Sequence, residues 1–261
     1  MKRVGLCVTV VLLGACAHVE PSTATQRGLG LLRAGDAAST AAGVALLRQA
    51  CDDGHGEACL QLGLLYARGH GVPRHAARAA VLYERGCERG SPDACSNLGG
   101  LLARGEGVQR SDERAVALFE HACRAHSEQG CFNLGYMVAE GRGVAADDHR
   151  AVELYRRSCD AGLGEACANL GLMLAGGRGA LRDDGTAVEL YQRACQAGVT
   201  TACTNLAFMI AAGRGAPKDV ASATQLWKAG CSGGDAASCY NLSVILRRGG
   251  GGASSQIRSI Q

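Results

Sequence analysis

Residues 115–150 read AVALFEHACRAHSEQGCFNLGYMVAEGRGVAADDHR, and shifting this stretch by thirty-six residues in either direction brings it onto a similar one. Paired cysteines with seven residues between them mark this register six times, with no insertion between pairs. The pairs are Cys51 and Cys59, Cys87 and Cys95, Cys123 and Cys131, Cys159 and Cys167, Cys195 and Cys203, and Cys231 and Cys239. A fixed period of this length is typical of solenoids, in which each repeat packs on its neighbours. The sequence therefore predicts one elongated domain.

The spacing of apolar residues predicts two helices in each repeat. In the first helix, Ala79, Leu82, Tyr83 and Cys87 lie at i, i+3, i+4 and i+8, which places them on one face. Two adjacent columns are bulky in every repeat: Leu46, Leu82, Leu118, Leu154, Leu190 and Leu226, followed by Leu47, Tyr83, Phe119, Tyr155, Tyr191 and Trp227. The second helix has its own leucine column, at Leu62, Leu98, Leu134, Leu170, Leu206 and Leu242. We expect the aromatic column in particular to form the core.

Glycine recurs in the middle of the second helix, where it destabilises a helix by about 0.5–1 kcal/mol relative to alanine. The column contains Gly63, Gly99, Gly135 and Gly171, followed by the small residues Ala207 and Ser243. We therefore expect two helices to cross there too closely for a larger side chain.

A second glycine pattern ends each second helix, as in the pair Gly105 and Gly107, and suits a left-handed C-cap followed by a tight turn. A G-x-G motif also occurs in nucleotide-binding loops. Because this one recurs in every repeat and follows a helix, not a strand, it predicts a structural turn.

The N-terminus has the pattern of an export signal. Lys2 and Arg3 precede a short apolar run, residues 4–13, which is too short to span a bilayer. Residues 13–16, Leu-Gly-Ala-Cys, resemble the lipobox of bacterial lipoproteins, which implies cleavage before Cys16 and lipidation of its sulfur. The alternative is an ordinary signal peptidase site. Loss of the leader lowers the formal charge from +3 to about +1, which predicts no electrostatic hold on nucleic acid.

These patterns divide the chain into five parts. We expect a signal peptide at 1–15, a lipidated N-terminus and polar tether at 16–28, and a degenerate half-repeat at 29–42 that caps the stack. Residues 29–35 (LGLLRAG) resemble residues 62–68 (LGLLYAR) at a displaced spacing. Six repeats follow within 43–247, at 43–78, 79–114, 115–150, 151–186, 187–222 and 223–247. The glycine- and serine-rich residues 248–261 are expected to form a disordered tail.

The cysteine count favours disulfides. Of fourteen cysteines, Cys7 lies in the leader and Cys16 at the predicted lipid site, so the remaining twelve are the six regular pairs. An even set at fixed spacing behind an export signal is typical of a disulfide framework, and the strict repetition favours pairing within each repeat. A zinc site would need closer ligand clusters, so no metal is expected. A bridge closing a loop of about nine residues contributes roughly 2.6 kcal/mol to stability.

The repeat as a whole resembles a known family. Residues 187–219, AVELYQRACQAGVTTACTNLAFMIAAGRGAPKD, are similar to the Sel1-like repeat, and the cysteine pairs are similar to its cysteine-rich branch, the Helicobacter cysteine-rich proteins. The resemblance covers residues 43–247. It implies an all-α, right-handed α/α superhelical solenoid related to tetratricopeptide repeats, with one disulfide per helical hairpin. It also implies two functions: a scaffold or adaptor for other proteins, or a penicillin-binding protein with weak β-lactamase activity.

Catalysis has less support from the residues than binding has. The sequence contains neither S-x-x-K nor K-T-G, and its lysines are only Lys2, Lys218 and Lys228. No H-E-x-x-H motif is present, and His121 and His126 are expected to be solvated surface residues. We therefore assign no catalytic residue and expect no cofactor, and the β-lactamase alternative depends on the family resemblance alone.

A strip along the first helices is the candidate binding surface. Its residues vary between repeats while their neighbours do not, and it is locally basic at Arg85, Arg156, Arg157 and Arg193. The alternative is a solvated helix face. The binding interpretation predicts an envelope-anchored adaptor for a protein or peptide with an acidic patch. We expect a monomer, exported as an outer-membrane lipoprotein, that contacts the membrane only through its N-terminal lipid.

Overall fold

The computed structural model describes residues 21–249, which form thirteen helices and no strand. The helices are α1 (Pro21–Ala34), α2 (Ala37–Asp52), α3 (Gly56–Arg68), α4 (Ala76–Glu88), α5 (Pro92–Arg104), α6 (Asp112–Arg124), α7 (Glu128–Ala139), α8 (Asp148–Asp160), α9 (Gly164–Gly176), α10 (Asp184–Gln196), α11 (Thr200–Ala212), α12 (Val220–Ser232) and α13 (Ala236–Gly249). Each helix packs mainly on the helices before and after it, as in a solenoid. The predicted all-α solenoid with a 36-residue period is confirmed.

Polar caps set where the first helices begin. Ser111, Asp147 and Asp183 each accept a hydrogen bond from the backbone N–H three residues later, which satisfies an N–H that has no partner within the helix. These caps place the start of α6, α8 and α10 three residues before the repeat boundaries expected from sequence. The difference arises because the apolar columns mark buried residues, whereas the cap lies one turn earlier.

The aromatic column forms the core, as predicted. Its residues are at most 3% exposed: Leu47, Tyr83, Phe119, Tyr155, Tyr191 and Trp227. Four of the rings lie directly against the glycines of the preceding second helix. A Cβ atom on Gly63 would lie 2.6 Å from Cε1 of Tyr83, and one on Gly99 would lie 2.7 Å from Cε1 of Phe119. A steric reason for this glycine column is therefore confirmed, but the space is filled by an aromatic ring of the following first helix and not by the backbone of a crossing helix.

The G-x-G turns pack against the preceding repeat. The first glycine of the motif is a left-handed C-cap, as at Gly105 with φ 68°. The second glycine also has positive φ and lies over the N-terminus of the preceding first helix. At Gly179, for example, a Cβ atom would overlap the backbone carbonyl of Asp148. Both glycines are therefore required by the turn and by the contact between repeats.

The N-terminal boundaries differ from the expectation. Residues 21–28, predicted as part of a tether, form the first half of α1, and α2 begins at Ala37, inside the predicted half-repeat. The helix forms because Thr25, Gly28 and Leu32 make a buried face that packs on α2. The stack is thus capped by α1, one helix ahead of six helix pairs.

The C-terminal boundary also differs. Helix α13 continues to Gly249, two residues beyond the predicted end of the repeats. The predicted signal peptide, Cys16 and most of the predicted tail lie outside the described residues. Within 21–249, none of the helices has the length and apolar character needed to cross a bilayer.

Candidate partner-binding surface

Six disulfides hold the hairpins that present the candidate surface. They join Cys51 to Cys59, Cys87 to Cys95, Cys123 to Cys131, Cys159 to Cys167, Cys195 to Cys203 and Cys231 to Cys239. Every bond links the end of a first helix to the start of the following second helix, with Cα atoms 4.5–4.7 Å apart. So many disulfides in one chain indicate an oxidising, extracytoplasmic compartment.

Two of the predicted binding arginines help to hold adjacent repeats together. Arg85 on α4 donates a hydrogen bond of 3.2 Å to the carbonyl of Cys51 and forms a 2.9 Å ion pair with Asp52. Arg193 on α10 donates a 3.0 Å hydrogen bond to the carbonyl of Cys159. Both guanidinium groups therefore satisfy carbonyls at the C-terminal end of the preceding first helix, where a cation is also favoured by the helix dipole. Sequence variation in this column does not mean that the column is free of structural contacts.

The other two predicted arginines lie side by side on α8 but differ in their contacts. Arg157 has its Nη2 atom 3.3 Å from Nδ1 of His126, a residue with φ 66° in the turn of the preceding hairpin. Arg156 is exposed and has no hydrogen bond or ion pair within residues 21–249. Of the four arginines, only Arg85 has an acidic partner among the described residues, and Arg156 is the one that makes no hydrogen bond there.

Arginines on the loop side of the solenoid are paired with aspartates. Arg142 and Arg214 each make two hydrogen bonds to an aspartate of the preceding first helix, Asp112 and Asp184 respectively. Each also donates to a backbone carbonyl of the preceding second helix. Hydrogen bonds from arginines hold the pKa of Asp112 and Asp184 well below the usual range, so both aspartates are ionised at neutral pH. These ion pairs serve the fold by joining consecutive repeats.

Two arginines that sequence reasoning missed, Arg48 and Arg78, line an open groove at the N-terminal end of the solenoid together with the predicted Arg85. This N-terminal groove lies between α2 and α4, has a volume of about 690 Å³, and is lined by Arg48, Asp52, Leu62, Tyr66, His75, Ala77, Arg78, Val81, Leu82 and Arg85. Leu62 and Tyr66, both buried, come from α3 and form its floor. Three guanidinium groups and one carboxylate line the groove, so its charge is positive.

Tyr66 brings two of these arginines together. Arg48 donates a 3.3 Å hydrogen bond to the Tyr66 hydroxyl, and the guanidinium carbon of Arg78 lies 5.7 Å from the centre of the same ring. Neither arginine forms an ion pair within the described residues. Val81 follows Arg78 by one helical turn on α4 and is 56% exposed, so an apolar side chain lies beside the two charges.

A potential metal-ligand cluster is chemically blocked. Within residues 21–249, Cys87, Cys95 and His121 are the one group of three histidine, cysteine or acidic side chains close enough to share an ion. The sulfurs of Cys87 and Cys95 form a disulfide, and metal is bound by a thiolate, not by a disulfide sulfur. The oxidised protein therefore lacks a thiolate ligand at this position.

A sequence model of the Sel1 repeat matches residues 56–91, 92–127, 129–163, 164–199 and 200–235. Each matched unit begins at the second helix of a repeat as defined from the cysteine spacing. The matched boundaries therefore fall between the two cysteines of a disulfide-linked hairpin. No curated protein matches the sequence. The period and the columns identified from sequence are thus those of the matched repeat, with the starting point shifted by one helix.

Several solved structures are similar. A protective antigen of uropathogenic Escherichia coli with an SLR fold is 27% identical over 90% of this chain, with a TM-score of 0.76; the chain spans about half (51%) of that antigen. A Sel1 repeat protein from Oxalobacter formigenes is 26% identical, with 89% of this chain and 92% of that chain covered and a TM-score of 0.77. Helicobacter pylori cysteine-rich protein B is 20% identical over 59% of this chain and 98% of its own, with a TM-score of 0.40, which is too low to support an inference.

Proposed function

This chain belongs to the Sel1 repeat family, and we propose that it is an envelope adaptor that binds an acidic protein or peptide along the exposed surface of its first helices. One contrast supports the proposal. Loop-side arginines such as Arg142 and Arg214 are paired with aspartates, whereas Arg48, Arg78 and Arg156 on the first helices have no acidic partner in the described residues. Exposed cations on a rigid scaffold favour an acidic partner, because complementary charge speeds association and little conformational entropy is lost on binding.

We test the binding surface through Arg156. Replacement Arg156→Glu reverses an exposed charge that makes no hydrogen bond or ion pair within the described residues, so the fold should be unchanged. The control is Arg33→Glu, which makes the same change on the exposed surface of α1. Oxidised wild-type protein and the control should capture the same partner from an envelope fraction, and Arg156→Glu should lose it. Capture should also weaken as salt rises, because exposed charges are screened. Equal capture by Arg156→Glu and wild type would contradict the proposed surface.

We propose further that the adaptor is anchored to the outer membrane by lipid on Cys16. The support is the lipobox-like sequence at residues 13–16, together with Ala17, which is not the aspartate that marks inner-membrane retention in many enteric lipoproteins. Cells fed labelled palmitate should incorporate it into the wild-type protein and not into Cys16→Ala. Equal labelling of the two proteins would exclude lipidation at Cys16. The labelling experiment does not bear on the binding surface.

A further inference from the structure

We propose that the N-terminal groove is a binding site for an acidic peptide segment, with a carboxylate held between Arg48 and Arg78 above Tyr66 and an aliphatic side chain against Val81. This inference rests on the proposed adaptor function and assigns it a second contact site with a defined ligand chemistry. The peptide would be part of a protein partner and would lie along the gap between α2 and α4.

One later gap between first helices is filled by an ion pair. Two repeats further along, the positions of Arg48 and Arg78 are occupied by Glu120 on α6 and Arg150 on α8. These two side chains form a 2.6 Å ion pair between neighbouring first helices. In the first repeat the glutamate is replaced by Arg48, whereas the second repeat keeps a glutamate, Glu84; both sides of the gap between α2 and α4 are therefore cationic. A carboxylate supplied by a ligand would take the place that the Glu120 carboxylate has in the later pair.

The floor of the groove is also particular to the first repeat. The Tyr66 column contains aliphatic residues in every later repeat, namely Leu102, Val138, Leu174, Ile210 and Leu246. Tyr66 supplies a hydroxyl that positions Arg48 and a ring face that positions Arg78. Two like charges held beside one ring repel each other, and a shared carboxylate would remove this repulsion while accepting charge-assisted hydrogen bonds from both guanidinium groups.

The two ends of the groove differ, which sets where the carboxylate and the aliphatic side chain of the ligand lie. At the far end, Arg85 is already paired with Asp52, so a second carboxylate there would be repelled by Asp52. Val81 lies between the two ends and exposes an apolar side chain beside Ala77 and Leu82. The groove therefore suits a segment in which an acidic residue is followed or preceded by a small aliphatic residue, and it disfavours a uniformly anionic polymer.

The test measures direct binding of a synthetic peptide to the oxidised full chain. The probe is fluorescein-labelled Gly-Ser-Glu-Val-Ser-Gly with an amidated C-terminus, and the reference is the same peptide with glutamine in place of glutamate. Fluorescence anisotropy at low salt should give an affinity about tenfold or more higher for the acidic peptide, which corresponds to about 1.4 kcal/mol. Vesicles of phosphatidylglycerol form a separate arm that presents anionic headgroups without a peptide.

The decisive variant is Arg48→Glu, because it recreates the Glu120–Arg150 arrangement within the groove. It should fold with a Tm no lower than that of the wild type and should lose at least about tenfold in affinity for the acidic peptide. Arg48→Gln, which removes the charge without adding one, should also weaken binding. The matched control is Arg114→Glu, at the position of Arg78 in the next repeat, where Leu102 occupies the column of Tyr66; it should bind as the wild type does.

Three results would overturn the assignment. One is equal affinity for the glutamate and glutamine peptides, and another is retention of binding by Arg48→Glu and Arg48→Gln. The third is binding of phosphatidylglycerol vesicles that depends on Arg48 in the absence of peptide binding, which would make the ligand a lipid. The peptide measurement and the capture experiment are independent of each other. If the peptide does not bind, capture of the partner through Arg156 can still be observed; if capture fails, binding of the peptide can still be measured.

Discussion

Reduction of the disulfides should unfold the solenoid at 25–37 °C. Each bridge closes a loop of about nine residues and contributes roughly 2.6 kcal/mol, so six contribute about 16 kcal/mol. The whole stability of a typical domain is only about 5–15 kcal/mol. Far-ultraviolet circular dichroism with and without a phosphine reductant measures the effect: the oxidised protein should melt cooperatively at high temperature, and the reduced protein should have lost most helical signal before heating. An unchanged melting curve after complete reduction would contradict this expectation.

Removal of one bridge at a time tests how the repeats share stability. The double replacement Cys159→Ser, Cys167→Ser removes a central bridge, and Cys231→Ser, Cys239→Ser removes the last one. The central loss should lower the Tm by about 5–10 °C. The terminal loss should affect mainly the end of the array, because the repeats there have a neighbour on one side only. Equal effects at both positions would indicate that the array unfolds as a single unit.

Replacement of Gly179 by alanine should be among the most damaging single-methyl changes at a turn. Gly179 has φ 66°, and its Cβ atom would overlap the backbone of Asp148, which cannot move without shifting the start of α8. The positive φ costs an alanine about 1–2 kcal/mol, and the forced displacement adds about 1–3 kcal/mol. Urea unfolding should therefore show a loss of about 3 kcal/mol or more in the free energy of unfolding.

Gly198→Ala is the control that measures only the cost of placing an alanine at positive φ. Gly198 has φ 88°, but a Cβ atom there would meet no atom within 4 Å. Its replacement should cost about 1–2 kcal/mol. If the two alanine variants unfold at the same urea concentration, the contact between the turn and the preceding repeat does not stabilise the solenoid.

The repeated part of the fold could be predicted because the same contact recurs in several repeats. Tyr83 and Gly63, for example, each belong to a column that is visible from sequence, and the structure brings those two columns together. The cysteine pairs are equally visible because their spacing never changes. Repetition thus turns a contact between distant residues into a pattern that a single sequence can show.

Features that occur once were harder to predict. Helix α1 is joined to α2 by only Gly35 and Asp36, whereas the later second-to-first-helix turns contain the full G-x-G loop, so the period breaks before the first repeat. The sequence resemblance aligned Gly30 with Gly63, but in the structure Gly28 makes the close approach and Gly30 faces open space. Because α1 lies outside the 36-residue period, the sequence offered no way to decide which of its residues face α2.

The binding surface was only partly predictable for a different reason. Arg85 and Arg193 donate hydrogen bonds to backbone carbonyls. Every residue has a backbone carbonyl, so residue types in the sequence do not reveal such a partner. The N-terminal groove depends on Arg48 and Arg78, which lie on different helices and thirty residues apart. Comparison of the pair Arg48 and Arg78 with the equivalent pair Glu120 and Arg150 would have shown that the first pair lacks an acidic residue. Inspection of one column at a time does not show this.

The crosslinks also bear on how the chain is made. Among the repeat cysteines every bond joins two that are consecutive in sequence, and no two bonds interleave. In a chain threaded N-terminus first into an oxidising compartment, the second cysteine of each pair emerges eight residues after the first and before any cysteine of the next pair. An oxidase that joins thiols in order of emergence therefore produces the native set directly, and each hairpin is secured while the rest of the chain is still in transit.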